Sequence, residues 1–91
     1  MHNKNDIISV VTVGGEVIGK FLSENPTEMI IGDPHMVTPN GESIGFIPTV
    51  AMTGKPQISE VTIQKASIIF SVETADEVVR EYRKATSGLI I

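Results

Sequence analysis

"VVTVGGEVIGKFL", residues 10–22, is the stretch on which the fold turns. Gly14, four residues and then Gly19-Lys20 trace the outline of a phosphate-binding loop, which would put a helix after Lys20 and a nucleotide before it. The chemistry is against that outline. A Ser or Thr must follow the Lys to hold magnesium, and Phe21 stands there. Glu16 would set a negative charge among phosphate oxygens, and Asn25-Pro26 would break a helix begun at Lys20 within about two turns. As strands, the same residues fit together. "DIISVVTV" and "EVIGKFLS" are β-branched apolar runs on either side of Gly14-Gly15, and a type I′ hairpin turn needs positive φ at both central positions. Pairing Val13 with Glu16 sets Thr12 opposite Val17, Val10 opposite Gly19 and Ile8 opposite Phe21. These six facing residues make one core-facing side; Lys20 falls on the other side with Ser9, and Gly19 marks a sharp bend.

The rest of the chain agrees with a sheet. Thirteen Ile and ten Val stand against two Leu, and side chains that are stiff at χ1 suit a pleated surface better than a helix. "SENPT" is a turn, and "EMIIGDPHMV" a third strand that Gly32-Asp33-Pro34 bends, because Pro cannot donate to a ladder. "TPNGES" turns into "IGFIPTVAM", "TGKPQ" turns again, and "ISEVTIQKASIIFSV" is an Ile-dense run of the kind covered on both faces. The strands fall at about 7–13, 16–23, 28–37, 44–52 and 58–72, within one domain spanning residues 1–91. A single helix is signalled at about 75–86 by "TADEVVREYRKATSG": Thr74 as N-cap, Glu77 completing a capping box, and Gly88 beyond the end. Ala75, Val78, Val79, Tyr82 and Ala85 form its apolar stripe. The apolar tail "LII", residues 89–91, is expected to dock on the sheet or on a neighbour.

Composition narrows the function classes. With no Cys there is neither a disulfide framework nor a thiolate metal site. No stretch has the length of a membrane span, and "MHNKND" lacks secretory character, so a soluble intracellular protein is expected. The net charge of −4 falls entirely on residues 1–75, since residues 76–84 balance, and no basic stripe for a phosphate backbone is visible. Asp33 and His35 would share a strand face, but two ligands do not close a metal site, and the other imidazole is His2. Glu24 and Glu28 flank a turn, where carboxylates are ordinarily solvated, and no Gly-x-Ser-x-Gly elbow occurs. Phe21, Phe46 and Phe70 are not interleaved with Lys or Arg and read as core aromatics. No enzyme, cofactor, metal or small-molecule substrate is expected from these residues.

"VGGEVIGKFLSENPTEMII", residues 13–31, resembles the first sequence motif of the Sm-like proteins, the family of the Sm, Lsm and Hfq rings. "IQKASIIF", residues 63–70, is similar to the second motif, and the likeness is nearest to small Sm-like proteins carried by phages. The resemblance implies a small, strongly bent antiparallel barrel of the SH3 type, here with one C-terminal helix where the family places a helix first. It further implies a homo-oligomeric ring of about five to seven subunits, each giving its late strand to the edge of the next. "IQKASIIF" must then bend near Ala66-Ser67. The implied work is single-stranded RNA binding in the cytoplasm of a cell or of a phage-infected host; the alternative is a ring acting as a structural or protein-interaction module. By the same resemblance the uridine pocket maps to Asn25, Thr27, Met29 and Lys65, with Ala66 and Ser67 beside them. All four pocket positions differ from the family's usual types: Asn25 keeps a hydrogen-bonding side chain and Lys65 the charge, Thr27 offers no ring for stacking, and Met29 cannot read a base edge.

Overall fold

A computed structural model describes residues 2–48, 53–55 and 58–87. In these the chain runs β1 (Ile7–Thr12), β2 (Gly15–Glu24), β3 (Glu28–Asn40), β4 (Ser43–Ile47), β5 (Glu60–Gln64), a 3-10 turn (Lys65–Ser67), β6 (Ile68–Glu73) and α1 (Asp76–Ser87). The six strands form one antiparallel sheet in the order β4-β3-β2-β1-β6, with β5 paired to β3. The protein is therefore mostly β with one C-terminal helix. Among the described residues the ladders do not close the sheet: β5 meets only β3, and β6 meets only β1.

The opening hairpin is present, but its register is displaced by two residues from the expected one. Thr12 faces Gly15, Val10 faces Val17 and Ile8 faces Gly19, so the turn is Val13-Gly14 and not Gly14-Gly15. Positive φ belongs to Gly15, at 137°, and a type I′ turn is not formed. The Thr12 hydroxyl decides the matter: it donates to the Gly15 carbonyl and accepts the Gly14 N–H, while the Val13 N–H donates to the carbonyl of Ser67. Because side chains alternate with a period of two, a two-residue slip leaves the core side unchanged.

Two bends shape the sheet. The β2–β3 register shifts between Ile18 and Lys20 and again between Phe21 and Ser23, and Asp33 sits at φ 46° within Gly32-Asp33-Pro34. At Gly19, β3 lies close against β2. A Cβ placed there would meet the Ile31 side chain and lie 2.7 Å from the Gly32 carbonyl oxygen, which cannot move aside without the strand. Gly19→Ala is accordingly expected to cost about 2–3 kcal/mol of stability in a urea melt. An unchanged midpoint would show that the bend tolerates a side chain.

Alternation sorts the apolar residues onto two sides. Ile8, Val10, Phe21, Met29 and Ile31 fill the inside of the bend, with Val61, Ile63 and Ile68 against them. On the other side Ile7, Ile18 and Tyr82 form a second core with Val37, Phe46, Val78 and Val79, so α1 covers the sheet there. Tyr82 is fully buried, donates to the Asp33 carbonyl at 2.6 Å, and meets the His35 and Phe46 rings edge-on. Ala75 and Ala85, expected in the helix stripe, are exposed.

Further expectations are corrected. Thr74 is buried and does not cap the helix; its hydroxyl bonds Ser9 Oγ at 2.8 Å, and the Ala75 carbonyl accepts the first helical N–H groups. The run 58–72 is not one strand covered on both faces: it breaks at Lys65–Ser67, where the resemblance required a bend, and β6 leaves Ile69 62 %, Phe70 53 % and Val72 48 % exposed. Phe70 is thus not a core aromatic, because β6 lies at the sheet edge. Strand β3 runs on to Asn40, and β4 ends at Ile47; residues 49–52 and the tail 88–91 lie outside the described residues.

Candidate nucleic-acid interface

The β2–β3 turn and the 3-10 turn meet at one end of the sheet. Asn25 shapes the first. Its Oδ1 accepts the N–H groups of Thr27 and Glu28 at 2.9 and 2.8 Å and the Thr27 hydroxyl at 3.2 Å, a side-chain turn that needs Asn or Asp at this place. The Asn25 N–H donates to the Glu28 carbonyl and closes the loop. The Lys65 N–H then donates to the Thr27 carbonyl at 2.8 Å, which brings the second turn against the first.

Of the four residues expected to form a pocket, Asn25, Thr27 and Lys65 come together at this corner. Met29 does not join them: it is buried in the core inside the bend and faces Ile63 across the β3–β5 ladder. Ala66 is exposed in the 3-10 turn. The Ser67 hydroxyl donates back to the Gln64 carbonyl at 2.8 Å, across its own turn.

Electrostatics sets the corner's character. Lys65 Nζ lies 2.6 Å from Glu24 Oε1, with both side chains about a third exposed or less. Glu28, directly after Thr27, adds a second carboxylate to the corner, held by side-chain amides and not by Lys65. Sequence reading treats these acids as ordinary solvated turn residues. The pairing of Glu28 with Gln64 in the β3–β5 ladder gives them company: Gln64 Nε2 donates to Glu28 Oε2 at 3.4 Å, and Asn25 Nδ2 donates to Glu28 Oε1 at the same distance. No local signal marks Gln64, because only the strand register places it beside Glu28. Beside this corner a cavity of about 360 Å³ opens between the β1–β2 hairpin and β5, lined among others by Thr12, Met36, Ile63, Gln64 and Ser67.

The other residues considered as ligands are committed elsewhere. His35 Nδ1 lies 3.0 Å from the Asp33 carbonyl oxygen, and the Asp33 carboxylate lies 3.4 Å from Lys20 Nζ. His2 Nε2 meets Ser71 Oγ at 2.9 Å. Among the described residues no three His, Cys, Asp or Glu side chains come together as a metal site, and no helix is long and apolar enough to cross a membrane. No protein-family model matches the chain, and no curated protein matches it.

Proposed function

We propose that the protein is an Sm-like, ring-forming subunit that binds single-stranded RNA at the corner of Asn25, Thr27 and Lys65. The observation that carries this reading is the Lys65 N–H bond to the Thr27 carbonyl, which joins the two stretches that resemble the family's motifs. In this reading the bent sheet is a small barrel of the SH3 type. Support comes from the tight approach at Gly19, the left-handed Asp33, and the 3-10 turn that leads β5 directly into β6. The ring is supported by β6, an apolar edge strand that a closed head-to-tail assembly of about five to seven copies would cover.

A second reading, a ring that binds a protein and not RNA, is favoured by one feature: the corner's lysine is already paired to Glu24, with Glu28 close by. The two readings separate in a fluorescence anisotropy titration with labelled oligo-U and oligo-A over a range of salt. The RNA reading expects affinity that falls as salt rises, because phosphate contacts release counterions. It also expects Glu24→Gln, which frees Lys65 and removes a negative charge, to strengthen binding by roughly 3- to 10-fold. Lys65→Ala should weaken binding and flatten the salt dependence. Absence of binding at every salt, by the wild type and by Glu24→Gln, removes RNA and leaves the second reading.

A further inference from the structure

Taking RNA as the ligand of this corner, as proposed above, we infer that the base selected there is guanine, read by the Glu28 carboxylate and the two side-chain amides that flank it. Most groups of the corner are already occupied. Three donors of its own turn saturate Asn25 Oδ1, and the Thr27 hydroxyl is one of them. Lys65 Nζ is held by Glu24, the Ser67 hydroxyl by the Gln64 carbonyl, and Met29 is buried. Ala66 has no polar side-chain atom.

Glu28 keeps capacity. Each of its oxygens has one amide nitrogen at 3.4 Å, Asn25 Nδ2 on Oε1 and Gln64 Nε2 on Oε2. That is beyond the usual N–H···O range of about 2.7–3.2 Å, so both contacts are weak and easily exchanged. Each carboxylate oxygen can accept more than one donor, and each amide nitrogen has a second hydrogen. The array thus presents two acceptors side by side with a donor at either end. Guanine is its complement: N1–H and N2–H meet the two oxygens, and O6 accepts from a flanking amide. Uracil offers one donor between two carbonyls, and adenine and cytosine each set an acceptor nitrogen against the carboxylate. An arginine guanidinium supplies the paired donors but no acceptor for the amide. The corner's six residues include no aromatic ring, so preference rests on the base edge and not on stacking.

The test is anisotropy with labelled RNA heptamers that are all-A, all-U, or A with one central G, against the full chain and Glu28→Gln. The wild type is expected to bind the G heptamer roughly tenfold more tightly than the all-A one. Glu28→Gln should bring that ratio below about twofold, because an amide offers one acceptor where the carboxylate offers two. Salt-dependent binding with no preference for G overturns the guanine assignment and leaves the RNA reading standing. A preference that survives Glu28→Gln overturns the role of Glu28, provided circular dichroism shows both proteins folded. Failure to bind any heptamer overturns both. An arginine-bearing peptide that binds in a Glu28-dependent manner where RNA does not overturns the assignment in favour of a protein ligand.

Discussion

Replacing Tyr82 by Ala is expected to remove about 3–5 kcal/mol of stability, a large share of what a small domain possesses. The ring is fully buried and ties α1 to the sheet through Ile7 and Ile18 beneath it, His35 and Phe46 edge-on, and the bond to the Asp33 carbonyl. Its loss leaves a cavity and unpins the helix in one step. Tyr82→Phe keeps the packing and loses only the hydroxyl, for an expected cost of about 1 kcal/mol.

Alkaline pH probes the same contact. Burial holds the Tyr82 phenol neutral well above its ordinary range, the Asp33 carboxylate adds to this, and Arg83 opposes it in part. A group whose pKa is raised on folding contributes stability that is whole below its unfolded value, about 10 for Tyr, and is lost as pH climbs through the folded value. The wild type should therefore hold its stability through neutral pH and lose it above about pH 10, with a flatter curve for Tyr82→Phe. Because the chain has one tyrosine, tyrosinate absorbance follows this residue alone. Ionisation at the ordinary value in a protein that circular dichroism shows still folded would refute the account.

The second large effect concerns the β6 edge. Full burial of an apolar side chain of this size contributes about 1.5–3 kcal/mol, and Ile69, Phe70 and Val72 are each about half exposed. Covering all three should therefore contribute on the order of 3 kcal/mol at every interface. That is on the order of a hundredfold in each association constant, before any backbone ladder is counted. Ile69→Lys with Phe70→Lys removes most of this term and sets charges on the edge, a device by which natural edge strands stay unpaired. Light scattering on the wild type is expected to give the mass of several copies, and on the double variant the mass of a single folded chain. A single-chain mass for the wild type would remove the ring under both functional readings.

How much of the site was legible follows from where its bonds lie in the sequence. The Asn25 turn could be read locally, since Asn25-Pro26-Thr27 supplies its acceptor and its donors within a few residues. The Lys65–Glu24 pair and the Glu28–Gln64 contact could not, because each joins residues far apart in the chain, brought together where the end of β5 and the turn after it meet the β2–β3 turn. Met29 has the same origin: its apolar side chain announces burial, but only the ladder shows that it turns away from the corner and into the bend.

The fold divides in the same way. A chain rich in Ile and Val and poor in Leu, with glycines and prolines at its bends, could only be mostly β with a late helix, because those preferences act residue by residue. What the tertiary structure alone decided are the contests between local signals and distant partners. Thr74 gives up a helix cap for Ser9, the hairpin slips two residues once Val13 bonds Ser67, and Phe70 lies open because its strand ends the sheet. For Thr74 and Val13 a hydrogen-bonding group had two satisfactory partners, one near in sequence and one brought near by folding. Only the packed chain, which must satisfy every buried hydrogen-bonding group at once, selects between them.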